Sequence, residues 1–426
     1  MSAVRGARLV RAFLLVWVGM LAATPAALAA APSITAPSAA VIETTTGTVV
    51  YVKNGNQQRG LASTTKLMTA LVALDEESLD TVYTAIDYGG SAAETRVGLV
   101  GGEKMTLADL VRAMMLPSAN DAAQTIAVRG AGTKAKFVSQ MNAKAKELGL
   151  TRTHFTNSIG LDAPTHRTTA IELAKIGVAA HNNPFIRRTV RKPSITLRSG
   201  AITRTIFNRN RVLGTKLPGG GVIDGMKTGH TMSAGYSLVG SATRGGVSLV
   251  SVVLGEPSEA ARDADTAKLL RWASGLFVKR RLVAEGDRVA TVPVLHGKLE
   301  SVEAITPKAL TRIVPKGAEV TLEAAAMSPG LEAPVAAGTP VGTTRVLVDG
   351  KLVDTMPLVT ASAVEKQSTL AAAVEWFGDH WKGTLLSLLL VLGGSLTIVR
   401  ALRTGPPTSH PAVPAPGEPS ERTSAP

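Results

Sequence analysis

With 426 residues, 45% of them hydrophobic, the chain is long enough for one large domain and a smaller one, with a sizeable buried core. It has no cysteine, which excludes a disulfide framework and any thiolate metal site. The formal net charge is +14, but aromatic residues make up only 4% and no Lys/Arg run is interleaved with stacking side chains; this argues against nucleic acid as a partner and for an anionic surface, either lipid headgroups or a cell-wall polymer.

In chain order, residues 1–29 have the layout of an export signal. Arg5, Arg8 and Arg11 form a positive start, Ala12 to Ala23 is largely apolar, and Ala27-Leu28-Ala29 offers the small residues of a cleavage site. Residues 30–38 read as a linker. Ala39–Thr45 and Thr48–Lys53 are expected as two strands around Thr46-Gly47. Ser63–Leu74 reads as a mostly buried helix opening on a serine, and Thr106–Met115 as another helix. Pro117 disfavours helical geometry at the residue before it, so Pro117-Ser118-Ala119-Asn120 is expected on a turn between helices. A helix over Lys134–Leu148 is predicted to stop at Gly149. Met226–Gly229 opens a β region, and Tyr236–Ala242 and Val247–Leu254 read as a hairpin around Arg244-Gly245-Gly246. Arg262–Val278 reads as a closing helix. Strands, then helices, then strands and a last helix suggest an α/β (α+β) domain with an antiparallel sheet and a helical cluster, spanning 39–283.

From Glu285 the pattern changes to short strands, with turns at Pro315-Lys316-Gly317 and Asp349-Gly350. A small all-β sandwich is expected over 284–360. Residues 361–382 read as a linker and interfacial segment carrying Trp376, Phe377 and Trp381. An uncharged run from Gly383 to Val399 predicts a transmembrane helix over 383–400, with Arg400 and Arg403 behind it on the cytoplasmic side. Residues 401–426, rich in Pro, Ser and charge, read as a disordered cytoplasmic tail. Together these place the chain's bulk outside the cell, anchored at the extracytoplasmic face of the plasma membrane.

Three short motifs carry candidate chemistry. Ser63-Thr64-Thr65-Lys66 is S-x-x-K, Ser118-Ala119-Asn120 is S-x-N and Lys227-Thr228-Gly229 is K-T-G. Three residues along a helix bring a serine and a lysine to one face. A lysine whose pKa is lowered by burial or by another cation can take the serine proton. Backbone N–H groups at the first turn can hold an oxyanion. S-x-N on a turn adds a proton-relaying hydroxyl and an amide for a substrate carbonyl. K-T-G supplies a cation, a hydroxyl and a glycine that lets an extended substrate approach the strand edge. Each motif alone is weak: Ser63 could be a plain helix cap, Ser118-Ala119-Asn120 an ordinary turn, and Lys227 a solvated lysine.

Together the three resemble the set found in penicillin-binding proteins and class A β-lactamases. The flanking strings narrow the resemblance to the low-molecular-weight serine D-alanyl-D-alanine carboxypeptidases. They are Leu61-Ala62 before Ser63, Asp121-Ala122-Ala123 after Asn120, Asp224-Gly225-Met226 before Lys227, His154-Phe155-Thr156-Asn157 through Gly160-Leu161-Asp162, and Asn208-Arg209-Asn210. The resemblance implies the penicillin-binding serine transpeptidase fold, a Ser63 acyl-enzyme with Lys66 as base, and Ser118 as proton relay. It further implies peptide binding by Asn120, carboxylate binding by Lys227, Thr228 and Arg262, and strand-edge approach at Gly229. The implied substrate is the peptidoglycan stem peptide, with β-lactams as inhibitors. The middle motif has alanine where the group more often has glycine. His230, next to the K-T-G triplet, is expected to be structural or pH-modulating, since Lys66 already fills the base role.

No His, Asp or Glu group has metal-ligand spacing, so neither metal nor other cofactor is predicted. A β-lactamase is disfavoured because no E-x-E-L-N-type segment supplies a deacylating glutamate. A D,D-endopeptidase shares all three motifs, and a non-catalytic wall-binding protein is disfavoured by the intact Ser63/Lys66 pair.

Overall fold

The computed structural model describes residues 30–368 together with Val374, Gly378, Gly383, Leu385, Ser387, Leu389, Leu390 and Val391. The expected export signal and cytoplasmic tail lie outside these residues. So does most of the expected membrane span. Among the described residues no helix is long and apolar enough to cross a membrane. The transmembrane anchor expected over 383–400, and the membrane-anchored location that rested on it, are therefore withdrawn. The uncharged run is short in any case: at 1.5 Å per residue, Gly383 to Val399 covers about 26 Å, against a hydrocarbon core of about 30 Å. It is also diluted by Gly383, Thr384, Ser387, Gly393, Gly394, Ser395 and Thr397.

Five antiparallel strands organise the larger part of the molecule: β1 (Ser38–Glu43), β2 (Val49–Lys53), β3 (Val222–Thr231), β4 (Gly235–Arg244) and β5 (Val247–Glu256). Their spatial order is β2-β1-β5-β4-β3, so the chain's first strands close against its last and β3 is left at an edge. The register pairs Val41 with Ser251, Val239 with Val252 and Lys227 with Val239. Both faces are covered. Ala40, Ile42, Val239, Val250 and Val252 join one hydrophobic cluster, and Ala39, Val41, Leu238, Leu249 and Val253 join another. A strand buried on both sides reads as a continuous apolar run rather than an alternating one.

The helices are α1 (Lys66–Glu76), α2 (Leu107–Met115), α3 (Asn120–Ala131), α4 (Lys134–Glu147), α5 (Ala170–Asn182), α6 (Pro184–Val190) and α7 (Glu259–Ala273). Local chemistry sets their starts. Thr106, Thr133, Thr169 and Ser258 each accept a backbone N–H in the first turn of α2, α4, α5 and α7. Asn183 accepts from Phe185 and Ile186, with Pro184 at the first position of α6. The expected helix over Arg262–Val278 is corrected at both ends. Ser258 caps it earlier, and it stops at Ala273, after which Phe277–Val283 forms a strand paired with Leu310–Pro315.

The residues described from 30 to 368 divide into two compact units, one of 30–284 with 308–321 and 346–354, the other of 285–307 with 322–345 and 355–368. In the second, Ser301–Ile305 pairs antiparallel with Arg288–Leu295, and Ala304 and Ile305 pair with Thr360 and Val359. Leu331–Glu332 adds in parallel. Val292, Val294, Val302, Ala304, Val341 and Leu358 form its core. The architecture is an α/β unit built on an antiparallel sheet, with an all-β C-terminal region.

Candidate active site

Ser63 does not cap an α-helix. It sits in a 3-10 turn, Ala62–Thr65, that runs into α1 at Lys66. Two non-glycine residues near the motifs occupy left-handed backbone, Ala62 at φ 48° and Ser118 at φ 74°. Such strain costs on the order of 1–3 kcal/mol per residue and persists only where the surroundings enforce it. The enforcement at Ala62 is visible. Gly160, itself at φ 91°, lies so close that a Cβ there would stand 1.9 Å from the Ala62 carbonyl oxygen. The loop carrying Gly160 is held by Asn157, whose Oδ1 accepts from Ile159, Gly160 and Leu161 N–H at 3.2, 2.7 and 3.1 Å.

That loop also reaches the lysine. Lys66 is fully buried; its Nζ lies 2.9 Å from Ser63 Oγ and donates to the Ile159 carbonyl at 2.6 Å. Burial lowers its pKa to about 7, with Glu94 and Asp121 pulling the other way. Near neutral pH much of the amine is uncharged and able to accept a proton. Next to it, His166 is buried and steadies the same turn. Thr156 N–H donates to Nδ1 at 3.0 Å, which leaves the proton on Nε2 to donate to Thr65 Oγ1 at 2.8 Å. Burial pushes the His166 pKa down to about 4, so the ring is neutral.

Ser118 and Asn120 follow the end of α2. Ser118 Oγ is buried with no hydrogen-bond partner among the described residues. Asn120 Nδ2 donates to Glu94 Oε2 at 2.7 Å, and its backbone N–H donates to Thr95 O at 2.8 Å. Glu94 also accepts from Tyr88 and from Ser91 N–H. Burial pushes the Glu94 carboxyl up, but these three donors outweigh it and hold the group below the usual range.

Edge strand β3 brings in the third motif. A Cβ at Gly229 would come within 3.1 Å of Thr64 N and Cγ2, so strand and serine turn approach at backbone distance. Lys227 is buried and donates to Thr228 O at 3.0 Å. Its pKa is pushed well down, first by burial and then by Lys66, Arg209 and Arg262. Arg262, in the first turn of α7, is buried; Nε and Nη2 reach Asp263, and Nη2 reaches Glu259 at 3.0 Å. His230 is exposed and stacks on Tyr236 with ring centroids 3.9 Å apart. The electrostatic result is a buried Lys227 in a field of like charges, with no carboxylate partner among the described residues, close to a lysine whose pKa is itself lowered.

A family profile described as D-alanyl-D-alanine carboxypeptidase matches residues 25–258. The chain belongs to that family. The D-alanyl-D-alanine carboxypeptidase profile is followed by one for the C-terminal domain of penicillin-binding protein 5, over residues 277–366. Among curated relatives, the Escherichia coli D-alanyl-D-alanine carboxypeptidase DacD is 33% identical over 360 residues, covering 81% of this chain and 91% of its own. DacF of Bacillus subtilis is 30% identical over 356 residues, covering 82% and 90%. Among solved structures, penicillin binding protein 5 from Haemophilus influenzae superposes with a TM-score of 0.58 at 29% identity, covering 79% of this chain and 99% of its own.

In this carboxypeptidase the structure brings the Ser63 turn together with Lys66 and with the strand bearing Lys227, Thr228 and Gly229. Asn120 is tied to the Glu94 loop. Several groups escaped the motif reading: Glu94 and Tyr88, which hold Asn120; Ile159 and Asn157, which set the lysine's partner; and His166, which braces Thr65. Of these, only Asn157 and Ile159 stood in a string noted for resemblance.

Proposed function

We propose that the protein removes the terminal D-alanine from peptidoglycan pentapeptide stems through a Ser63 acyl-enzyme. The observation that carries this is the pairing of Ser63 Oγ with a buried Lys66 whose pKa is lowered to about 7, beside a buried Lys227 that has no carboxylate partner among the described residues. The first pair makes a nucleophile. The second wants an anion, which a substrate ending in a free carboxylate supplies.

Ser63 Oγ attacks the carbonyl carbon of the penultimate D-alanine while its proton passes to Lys66 Nζ. The tetrahedral oxyanion is held by backbone N–H groups at the serine turn and the adjoining strand. The C–N bond then breaks, and the amine of the leaving D-alanine takes that proton from Lys66, relayed by Ser118. Water, giving its proton to Lys66, attacks the acyl carbon, and Lys66 returns the proton to Ser63 Oγ as the ester C–O bond breaks. Lys227, Thr228 and Arg262 hold the terminal carboxylate. Asn120 orients the peptide, which lies along β3 at Gly229. β-Lactams mimic the same end and acylate Ser63. The catalytic domain of this reading is 39–283, followed by the β-sandwich 284–360.

Mass spectrometry tests it directly. Incubation with benzylpenicillin is expected to leave one penicilloyl adduct on Ser63, and a diacetyl-lysyl-D-alanyl-D-alanine peptide to lose one D-alanine. Folded protein that gives neither result removes the enzymatic reading.

A further inference from the structure

A concavity not lined by Ser63 lies between the start of α2, α6 and the hairpin Ser194–Leu197/Arg204–Phe207, with a volume near 1210 Å³. Its charge is one-sided. Arg188, Lys192 and Arg198 line it, are exposed, and have no acidic partner among the described residues. A fourth cation, Arg112, lies 5.2 Å over the Phe185 ring and pairs with Asp109 at 2.7 Å. Asp109 is fully occupied, since Oδ2 also accepts from Arg198 N–H, Ser199 N–H and Ser199 Oγ at 2.8 Å each. Asp80 is the remaining acid on the wall. Like charges crowded round a groove with an aromatic floor are held apart at an energetic cost unless an anion joins them.

We propose that this groove is a secondary binding site for the substrate polymer, in which the carboxylates of a neighbouring stem peptide pair with Arg188, Lys192 and Arg198 while another stem is processed at Ser63. This rests on the carboxypeptidase reading above. The geometry favours a stretch of the same polymer over a small anion. Asp109 and Arg112 stand on α2, and the far end of that helix leads into Pro117–Asn120. Its nine residues span about 13 Å, the reach of roughly four residues of extended peptide. The exposed guanidinium groups of Arg188 and Arg198 suit carboxylates, while the Phe185 ring is buried under Arg112 and backs the groove.

The test is co-sedimentation of the purified protein with purified peptidoglycan, with D-alanine release from the short peptide measured in parallel. The Arg188→Gln/Lys192→Gln/Arg198→Gln variant changes three exposed side chains outside the catalytic residues. It is expected to bind the polymer roughly tenfold more weakly at moderate salt, with peptide hydrolysis unchanged. Amidating the polymer's carboxylates is expected to weaken wild-type binding equally. Unchanged sedimentation of the variant overturns the proposal. So does loss of binding only after phosphodiester-linked polymers are stripped, which assigns the groove to phosphate instead. A wild-type protein that binds polymer but leaves the short peptide intact counts against the carboxypeptidase reading and not against the groove.

Discussion

Asn120 and Tyr88 donate to one and the same oxygen of Glu94, the Asn120 bond measuring 2.7 Å. With its N–H group engaged there, the Asn120 amide cannot turn over, and Oδ1 is left to accept from a substrate N–H. Glu94 thereby acts as a positioning residue, and its charge also lifts the Lys66 pKa. Replacing Glu94 by Ala is expected to lower kcat/KM roughly 10- to 100-fold, the worth of a charge-assisted hydrogen bond. A merely structural role would stop there. The pH profile should also move, its acid limb shifting to lower pH as Lys66 loses a neighbour that favoured its charged form. Wild-type kcat/KM and an unmoved profile in Glu94→Ala would exclude the role.

As the proposed base, Lys66 is buried at a cost to stability. Burial holds its pKa at about 7 against 10.5 in the unfolded chain. Between those values the unfolded chain binds the extra proton, so stability rises with pH across that window and the penalty is complete below it. Lys66→Met should therefore melt several degrees higher than wild type at pH 6, with the gap closing toward pH 10. Its acylation by benzylpenicillin should fall roughly 10²- to 10⁴-fold. A variant that melts lower at pH 6 would show that the bonds to Ser63 and Ile159 outweigh the buried charge.

Lys227 should be read out in selectivity. A buried cation depressed first by burial and then by Lys66, Arg209 and Arg262 gains most from a full negative charge. Wild type is expected to prefer a free C-terminal carboxylate over the C-terminal amide by about 100-fold, and Lys227→Gln to reduce that preference to a few-fold, with the loss mainly in KM. Equal discrimination by the two proteins would move the carboxylate contact elsewhere.

Much of this site was legible because its chemistry is local in sequence. Ser63 and Lys66 are three residues apart, as are the capped helix starts, and the β4–β5 hairpin announces itself through Gly245-Gly246. What stayed hidden depends on the fold. α3 was given no range of its own: its polar residues Asn120, Asp121, Gln124 and Thr125 are buried along with its apolar ones, so their spacing does not mark an exposed face. The end of α7 was overrun because apolar Leu276 and Val278 continue a helical spacing that Ser274-Gly275 breaks. The expected helix opening on Ser63 missed the 3-10 turn, against which Gly160 packs from a loop nearly a hundred residues away. The membrane span was expected from an uncharged run with aromatics before it and arginines behind it, with too little weight on its short length and on its glycines and hydroxyls. Glu94 carried no signal, since its meaning lies in the partner it meets rather than in its neighbours.

His166 offers a test of how the serine turn is braced. Its ring is neutral in the folded protein, with a pKa of about 4 against 6.5 in the unfolded chain, because burial disfavours the charged form. Between pH 6.5 and 4 the unfolded chain takes up the proton first, so the folded state loses stability as pH falls through that window, by up to about 3 kcal/mol. His166→Gln cannot titrate. It should be less stable than wild type at pH 7, where the bonds to Thr65 and Thr156 are weakened, yet lose less on acidification, so that its melting temperature falls less steeply between pH 6.5 and 4. Acylation of Ser63 should slow in the same variant while substrate KM stays near wild type, because the ring holds Thr65 in the turn and touches no substrate. Parallel melting curves for the two proteins across that window would mean that the acid sensitivity arises from the carboxylates and that His166 is protonated without consequence for the turn.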